Sequence, residues 1–180
     1  MSTVLVPLVS TGITFNEVPE KMAYYIELGE CYANCPNCHS PHLRCKLDKY
    51  TRLEKVLSDA KKAIDDGANA IVVMGGTTSR HLEEGELVEL LQGLSHIAPT
   101  CLYSGSNSAE ADKALATDGG CTWLKTGAYI ETFGGLENPR TNQRFYKAEN
   151  LTRVDKEGYV QKITPVWVDE THRFWKKVNK

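Results

Sequence analysis

Over roughly its first 130 residues the chain alternates short apolar runs with amphipathic helical patterns, and few folds accept such an alternation. Residues 22–28 read as a strand, 50–66 as an amphipathic helix and 70–74, Ala-Ile-Val-Val-Met, as a buried strand. The series continues with a helix over 84–94, a strand over 100–103, a helix over 109–117 and a strand over 122–125. Gly67, Gly93 and the pair Gly119-Gly120 punctuate it near the helix ends. A βα series builds a parallel sheet covered by helices through right-handed crossovers, and its ligands sit beyond the carboxyl ends of the strands. About four such units fit into 180 residues, too few for a closed eight-stranded barrel of roughly 250 residues. The expectation is an α/β fold: a partial, open (βα) barrel with a mostly parallel sheet.

No internal repeat, low-complexity tract or Gly/Ser linker interrupts the sequence, which reads as one domain over 1–180 with a core at about 13–133 and a C-terminal extension at about 134–180. After Gly135 the chain turns polar and aromatic. Residues 142–152 with 158–164 suit a hairpin turning at 155–158, and the tail through Trp175 is expected to cover an edge. Arg140, Arg144, Phe145 and Tyr146 have a composition suited to a contact surface or to a folded edge. Trp167, Phe174 and Trp175 read as core or edge cover.

A formal net charge of -2 and a pI near 6.2, with Lys and Arg scattered, give no electrostatic basis for binding nucleic acid or an anionic membrane. Residues 1–10 carry neither a basic leader nor a long apolar run, and Pro7 interrupts them, so a signal peptide and a spanning helix are not expected and the protein is expected to be cytoplasmic. Under those reducing conditions six cysteines point to metal or catalysis rather than to disulfides. Cys101 and Cys121 stand alone in apolar contexts and read as small buried hydrophobes.

Four cysteines, Cys31, Cys35, Cys38 and Cys45, fall within fifteen residues, and the first three form C-x3-C-x2-C just after the first clear strand. Thiolates are the ligands of iron-sulfur clusters, and three of them can hold three irons of a 4Fe-4S cubane and leave the fourth open for a reactive ligand. The competing readings are a zinc site using His39, His42 or Cys45, a four-cysteine cluster completed by Cys45, and a chance spacing. Structural zinc sites usually draw ligand pairs from two separated segments, and no second Cys or His pair stands elsewhere in the chain. His39 and His42 read as residues that position the loop, and Cys45 as a spare thiol.

The C-x3-C-x2-C triplet on the loop after a first strand resembles the signature of the radical S-adenosylmethionine (radical SAM) superfamily. Within it, Cys35-Pro36-Asn37-Cys38-His39-Ser40-Pro41 is similar to the C-x-x-C-H-(N/S)-P run of the activating proteins of anaerobic, class III ribonucleotide reductases. Residues 124–131, Gly134-Gly135-Leu136 and 141–146 also resemble segments of short activating proteins of this kind. The resemblance implies the short partial barrel of that superfamily, and a 4Fe-4S cluster whose open iron chelates S-adenosylmethionine. It further implies reductive cleavage to a 5′-deoxyadenosyl radical, which takes a hydrogen atom from one glycine of the reductase. The reductase would be substrate and partner at once, and a flavodoxin or ferredoxin-like protein the electron donor.

For S-adenosylmethionine the resemblance implies contacts from Gly75, Gly76 and Thr77, where many relatives have Gly-Gly-Glu, and from Ser104, Lys125 and Asn37. Lys125 matches a strand-end lysine that meets the carboxylate; Asn37 stands where many members place an aromatic near adenine. Each has a plainer reading: a strand-to-loop turn for Gly75-Gly76, an ordinary turn for Ser104, a solvated surface lysine for Lys125. Two other functions remain open at this stage, a radical SAM enzyme for a small molecule such as a deazaguanine synthase, and a zinc-stabilised module without turnover.

Overall fold

The computed structural model describes residues 1–149, 152–154, 160–162 and 164–175. The chain begins with β1 (Leu5–Val6), β2 (Leu8–Thr14) and β3 (Ala23–Leu28), and β4 (Thr51–Arg52) leads into α1 (Leu53–Asp65). Then β5 (Ala70–Met74), α2 (Glu84–Ser95), β6 (Thr100–Tyr103), α3 (Ala109–Asp118) and β7 (Trp123–Thr126) complete the expected alternation almost residue for residue. Four strands follow: β8 (Arg144–Glu149), β9 (Thr152–Val154), β10 (Val160–Lys162) and β11 (Val166–Asp169). Among the described residues no helix is long and apolar enough to cross a membrane.

Seven strands form one sheet in the order β11-β8-β7-β6-β5-β3-β2. β3, β5, β6 and β7 are parallel neighbours, as the βα series requires, whereas β2, β8 and β11 add antiparallel. The sheet is thus mixed rather than mostly parallel, and open, with β2 and β11 at its edges. Short connections account for β2: a strand joined to its neighbour without a crossover helix can only run antiparallel. Its sequence, Leu-Val-Ser-Thr-Gly-Ile-Thr, is half exposed and weakly alternating, so it gave little periodic signal.

The C-terminal expectation needs a similar correction. β8 does not pair with residues 158–164; it lies between β7 and β11 and extends the main sheet. β9 and β10 pair with each other, Val154 opposite Val160, and the turn expected at 155–158 lies outside the described residues. Phe145 is fully buried, and Arg144 bonds the carbonyls of Thr141 and Gln143 at 3.0 Å each, so this stretch is folded into the sheet, as an interior strand rather than an edge. Trp167 is half-buried with its indole N–H on Thr117 Oγ1 at 3.1 Å, Phe174 meets Phe145 edge-on at 4.9 Å, and Trp175 stays exposed. Helix α1 begins at Leu53 rather than at 50 because Thr51–Arg52 pair with Leu5–Val6 and Tyr50 turns its hydroxyl to Glu30.

All three helices pack on one face. Val56 and Ala60 of α1, Leu87, Leu90, Leu91 and Leu94 of α2, and Leu115 and Ala116 of α3 share one core with Ile26, Leu28, Ile71, Val73, Leu102 and Leu124 from the strands. This follows from sheet order: β3 to β5 to β6 to β7 always steps in one direction, and crossovers of one hand taken in one direction place every helix on the same side. Side chains of the other parity, Ala23, Ala70, Val72, Cys101, Trp123 and Phe145, form a second core on the opposite face.

Registration across that second face sets the site. Glu27 pairs with Met74, Met74 with Tyr103, Tyr103 with Lys125 and Lys125 with Phe145, one row at the carboxyl ends of the parallel strands. Just beyond, Gly75 turns β5 out of the sheet at φ +94°, and a Cβ there would lie 2.4 Å from the Leu28 carbonyl oxygen of β3. Only glycine meets both demands. Gly75→Ala is expected to cost about 2 kcal/mol or more, from left-handed strain plus the backbone clash, read as a lowered midpoint in urea unfolding.

Candidate metal and ligand site

The strand ends open into a cavity of about 640 Å³, a volume suited to a cofactor-sized ligand. Its wall carries Cys31, Cys35 and Cys38 from the loop after β3, Gly75 and Thr78 after β5, Tyr103, Ser104 and Gly105 at the end of β6, Lys125 on β7 and Gln143 before β8. The expected location beyond the carboxyl ends is therefore where the cavity lies, and the three cysteines of the C-x3-C-x2-C triplet share it.

The cysteine loop is held from several sides. Cys31 N–H donates to Leu43 O at 2.8 Å, Tyr32 N–H to Thr78 O at 2.9 Å and the Arg44 guanidinium to Cys35 O at 2.5 Å. Asn34 and Asn37 adopt φ of +45° and +54°, left-handed positions that asparagine tolerates better than most residues and that let the chain fold tightly between the cysteines. Asn37 Nδ2 donates to Glu131 at 2.6 Å and the His39 ring lies 4.3 Å from Tyr129, so the loop after β3 is tied to the loop after β7. His42 bonds Glu27 at 3.1 Å and lies outside the cavity wall, consistent with a positioning role.

All six cysteines are free thiols. Cys31, Cys35 and Cys38 are half-buried in the cavity wall, Cys45 is exposed and outside it, and Cys101 and Cys121 are buried, which pushes both thiols up, Cys121 to about 12. Among the described residues no three His, Cys, Asp or Glu side chains are gathered closely enough to hold one metal ion. A tetrahedral zinc site needs its donors about 2.3 Å from one common centre. A cubane asks for something different, one thiolate for each of several irons, so the sulfurs need only surround it. Three free thiols on one cavity wall fit a cluster by donor type and by placement, and do not constitute a preformed tetrahedral site.

The residues expected to hold S-adenosylmethionine divide. Gly75, Ser104 and Lys125 line the cavity. Gly76 and Thr77 line a smaller pocket of about 270 Å³ between the turn after β5 and helices α2 and α3. A Cβ on Gly76 would meet Leu87 at 2.8 Å, so helix packing explains that glycine. Asn37 is occupied by Glu131 and stands outside the cavity wall. The Ser104 hydroxyl accepts from Ser106 N–H at 3.0 Å and lies 3.0 Å from Thr77 Oγ1, so it holds the turn after β6.

Lys125 is the reverse of a solvated surface lysine. It is half-buried in the cavity wall, its ammonium donates to Gly127 O at 3.0 Å and Ser104 O at 3.3 Å, and no carboxylate among the described residues forms an ion pair with it. Burial lowers it from 10.5 to about 8, with Cys35 and Asp112 the first of the opposing charges. Sequence reasoning missed Thr78, whose hydroxyl lies 3.0 Å from the Cys31 sulfur, and also Tyr103 and Gln143. Strand parity could have found Tyr103, since it shares a face and a register row with Lys125. No local signal marks Thr78 or Gln143, because what brings them to the wall is long-range packing.

Below pH 8 the ammonium is charged in both folded and unfolded chains, and its desolvation cost is fully present. Between about 8 and 10.5 the unfolded chain holds a proton the folded one has released, so this lysine makes stability rise with pH. The wild type minus Lys125→Met difference in urea stability should therefore grow more favourable to wild type from pH 7.5 to 9.5; Cys121 acts oppositely in both proteins and cancels, and loss of Lys125 leaves the Cys101 thiol higher still, which adds to the difference. No family model matches the chain, and no curated protein or solved structure matches it either.

Proposed function

We propose that the chain is a radical SAM activating enzyme that installs a glycyl radical on an anaerobic ribonucleotide reductase. The observation that carries the reading is the shared placement of Cys31, Cys35 and Cys38 on the wall of one cavity at the carboxyl ends of the parallel strands. A 4Fe-4S cluster on these three thiolates would supply the electron that cleaves S-adenosylmethionine to methionine and a 5′-deoxyadenosyl radical, the species that takes hydrogen from glycine. The open, one-sided sheet of this chain is compatible with the partial barrel of short radical SAM proteins.

The protein's own groups would bind and orient. Lys125 presents an ammonium, still charged at neutral pH, with no carboxylate of the described residues to satisfy it, and the carboxylate of S-adenosylmethionine is a suitable partner. Met74, Leu43, Leu136 and Phe174 give the wall an apolar part that keeps water from a reactive carbon. Gly75 leaves room for close approach of the ligand. Gly76, Thr77 and Asn37 serve the fold around the site, so the contacts expected of them with the ligand are not part of the proposal.

A protein substrate is favoured over a small molecule by the surroundings of the mouth. Phe15, Ile130 and Phe133 are exposed, between 40% and 67%, and each lies within two residues of a chain position that lines the cavity. Exposed aromatic and aliphatic side chains beside a concave site suit a docked polypeptide. A flavodoxin or ferredoxin-like protein is the proposed electron donor.

Anaerobic reconstitution with iron and sulfide should give about four irons per chain, and dithionite with S-adenosylmethionine should then yield 5′-deoxyadenosine. Alanine at Cys31, Cys35 or Cys38 singly should reduce that yield to background, while Cys45→Ala should keep most of it. A single tightly held zinc and no cleavage would overturn the reading. Mixing the loaded enzyme with an anaerobic reductase should produce a glycyl radical by electron paramagnetic resonance, and its absence with 5′-deoxyadenosine still formed would point to the small-molecule alternative.

A further inference from the structure

The three thiols of the triplet have unlike surroundings. Cys38 Sγ faces the backbone N–H of Ser40 at 3.4 Å, whereas Cys31 Sγ lies 3.0 Å from a side-chain hydroxyl, that of Thr78. Thr78 is buried, 6% exposed, in the 3-10 turn Gly76–Thr78 that follows β5. The contact is fixed from both ends: Tyr32 N–H donates to Thr78 O at 2.9 Å, Arg80 N–H to Glu30 O at 3.0 Å, and Cys31 bridges Ser79 antiparallel. The two side chains can scarcely drift apart without breaking main-chain bonds.

A threonine hydroxyl has one proton to give. While Cys31 is a thiol it can itself donate to Thr78 Oγ1, leaving the hydroxyl proton for Gly75 O, which lies 3.5 Å away. A metal-bound thiolate has no proton and only accepts, so the hydroxyl must then turn to the sulfur, the nearer of its two acceptors. We infer that Thr78 donates a hydrogen bond to the ligating Cys31 sulfur and thereby raises the potential at which the site accepts an electron. The inference rests on the cluster proposed above. Added negative charge spreads in part onto ligand sulfurs, so a donor there stabilises the reduced state more than the oxidised one, and hydrogen bonds to sulfur are among the main determinants of cluster potential.

Thr78 is a positioning and tuning residue by this account, so activity alone does not test it. The test is an anaerobic redox titration of the reconstituted full chain without S-adenosylmethionine, followed by electron paramagnetic resonance. Thr78→Val, which keeps the branched shape and loses the hydroxyl, should shift the midpoint to more negative potential, and Thr78→Ser should restore it to the wild-type value. Should the valine variant lose its cluster, Thr78→Ala is titrated in its place. A hydroxyl-free variant with wild-type iron and sulfide content and a wild-type midpoint overturns the inference while leaving the cluster in place. Wild-type chain that takes up no iron and sulfide overturns the proposed function, and this inference with it.

Discussion

The site depends on one constraint, the in-register alignment of four parallel strands that all step the same way across the sheet. That order sends every crossover helix to one face and frees the carboxyl ends on the other for a cavity. The row Glu27, Met74, Tyr103, Lys125 and Phe145 then follows from side-chain parity alone. A one-residue slip of β7 would carry Lys125 into the leucine core beneath the helices and bring Leu124 or Thr126 to the cavity. The fully buried Leu124, packed against the helix core, opposes such a slip.

Strain and polar contacts concentrate where the helices do not reach. The loop after β3 contains two left-handed asparagines and, at its start, Glu30, a third non-glycine residue at positive φ. Such conformations persist only where the surroundings over-determine them. Here Glu30 accepts from Tyr50 OH at 2.7 Å and from Leu47 N–H at 3.1 Å, bonds that hold its carboxyl below the usual range, and Tyr50 stacks on His81 at 3.7 Å. The loop is thus tied to segments far from it in sequence, which restricts the positions open to the three cysteines.

The central alternation was legible because each of its elements declares itself locally. The run Ala70–Met74 is apolar throughout and α1 repeats its buried positions at helical spacing, so neither needs tertiary knowledge. β2 and β8 were less visible because their partners define them: half-exposed sequences become strands when a neighbouring strand offers its free hydrogen-bonding groups. The site divides along the same line. Three cysteines with three and two residues between them are a local pattern, and Lys125 at a strand end is nearly one. Gly76 and Thr77 show the limit, since Gly75 and Gly76 are adjacent yet face different pockets, and only the turn geometry decides which residue meets which.

Electrostatics joins the two halves of the site. Burial has taken Lys125 out of water without giving it a carboxylate, and its two backbone carbonyls compensate only in part, as its lowered proton affinity records. The same cavity wall holds the thiols of Cys31, Cys35 and Cys38. Negative charge at the cysteine loop favours the ammonium, as the influence of Cys35 on Lys125 indicates. Opposite charges at the two places each make the other's charged form less costly. That mutual effect links the end of β7 to the cysteine loop through space, because half-buried Lys125 and the three cysteines border one cavity.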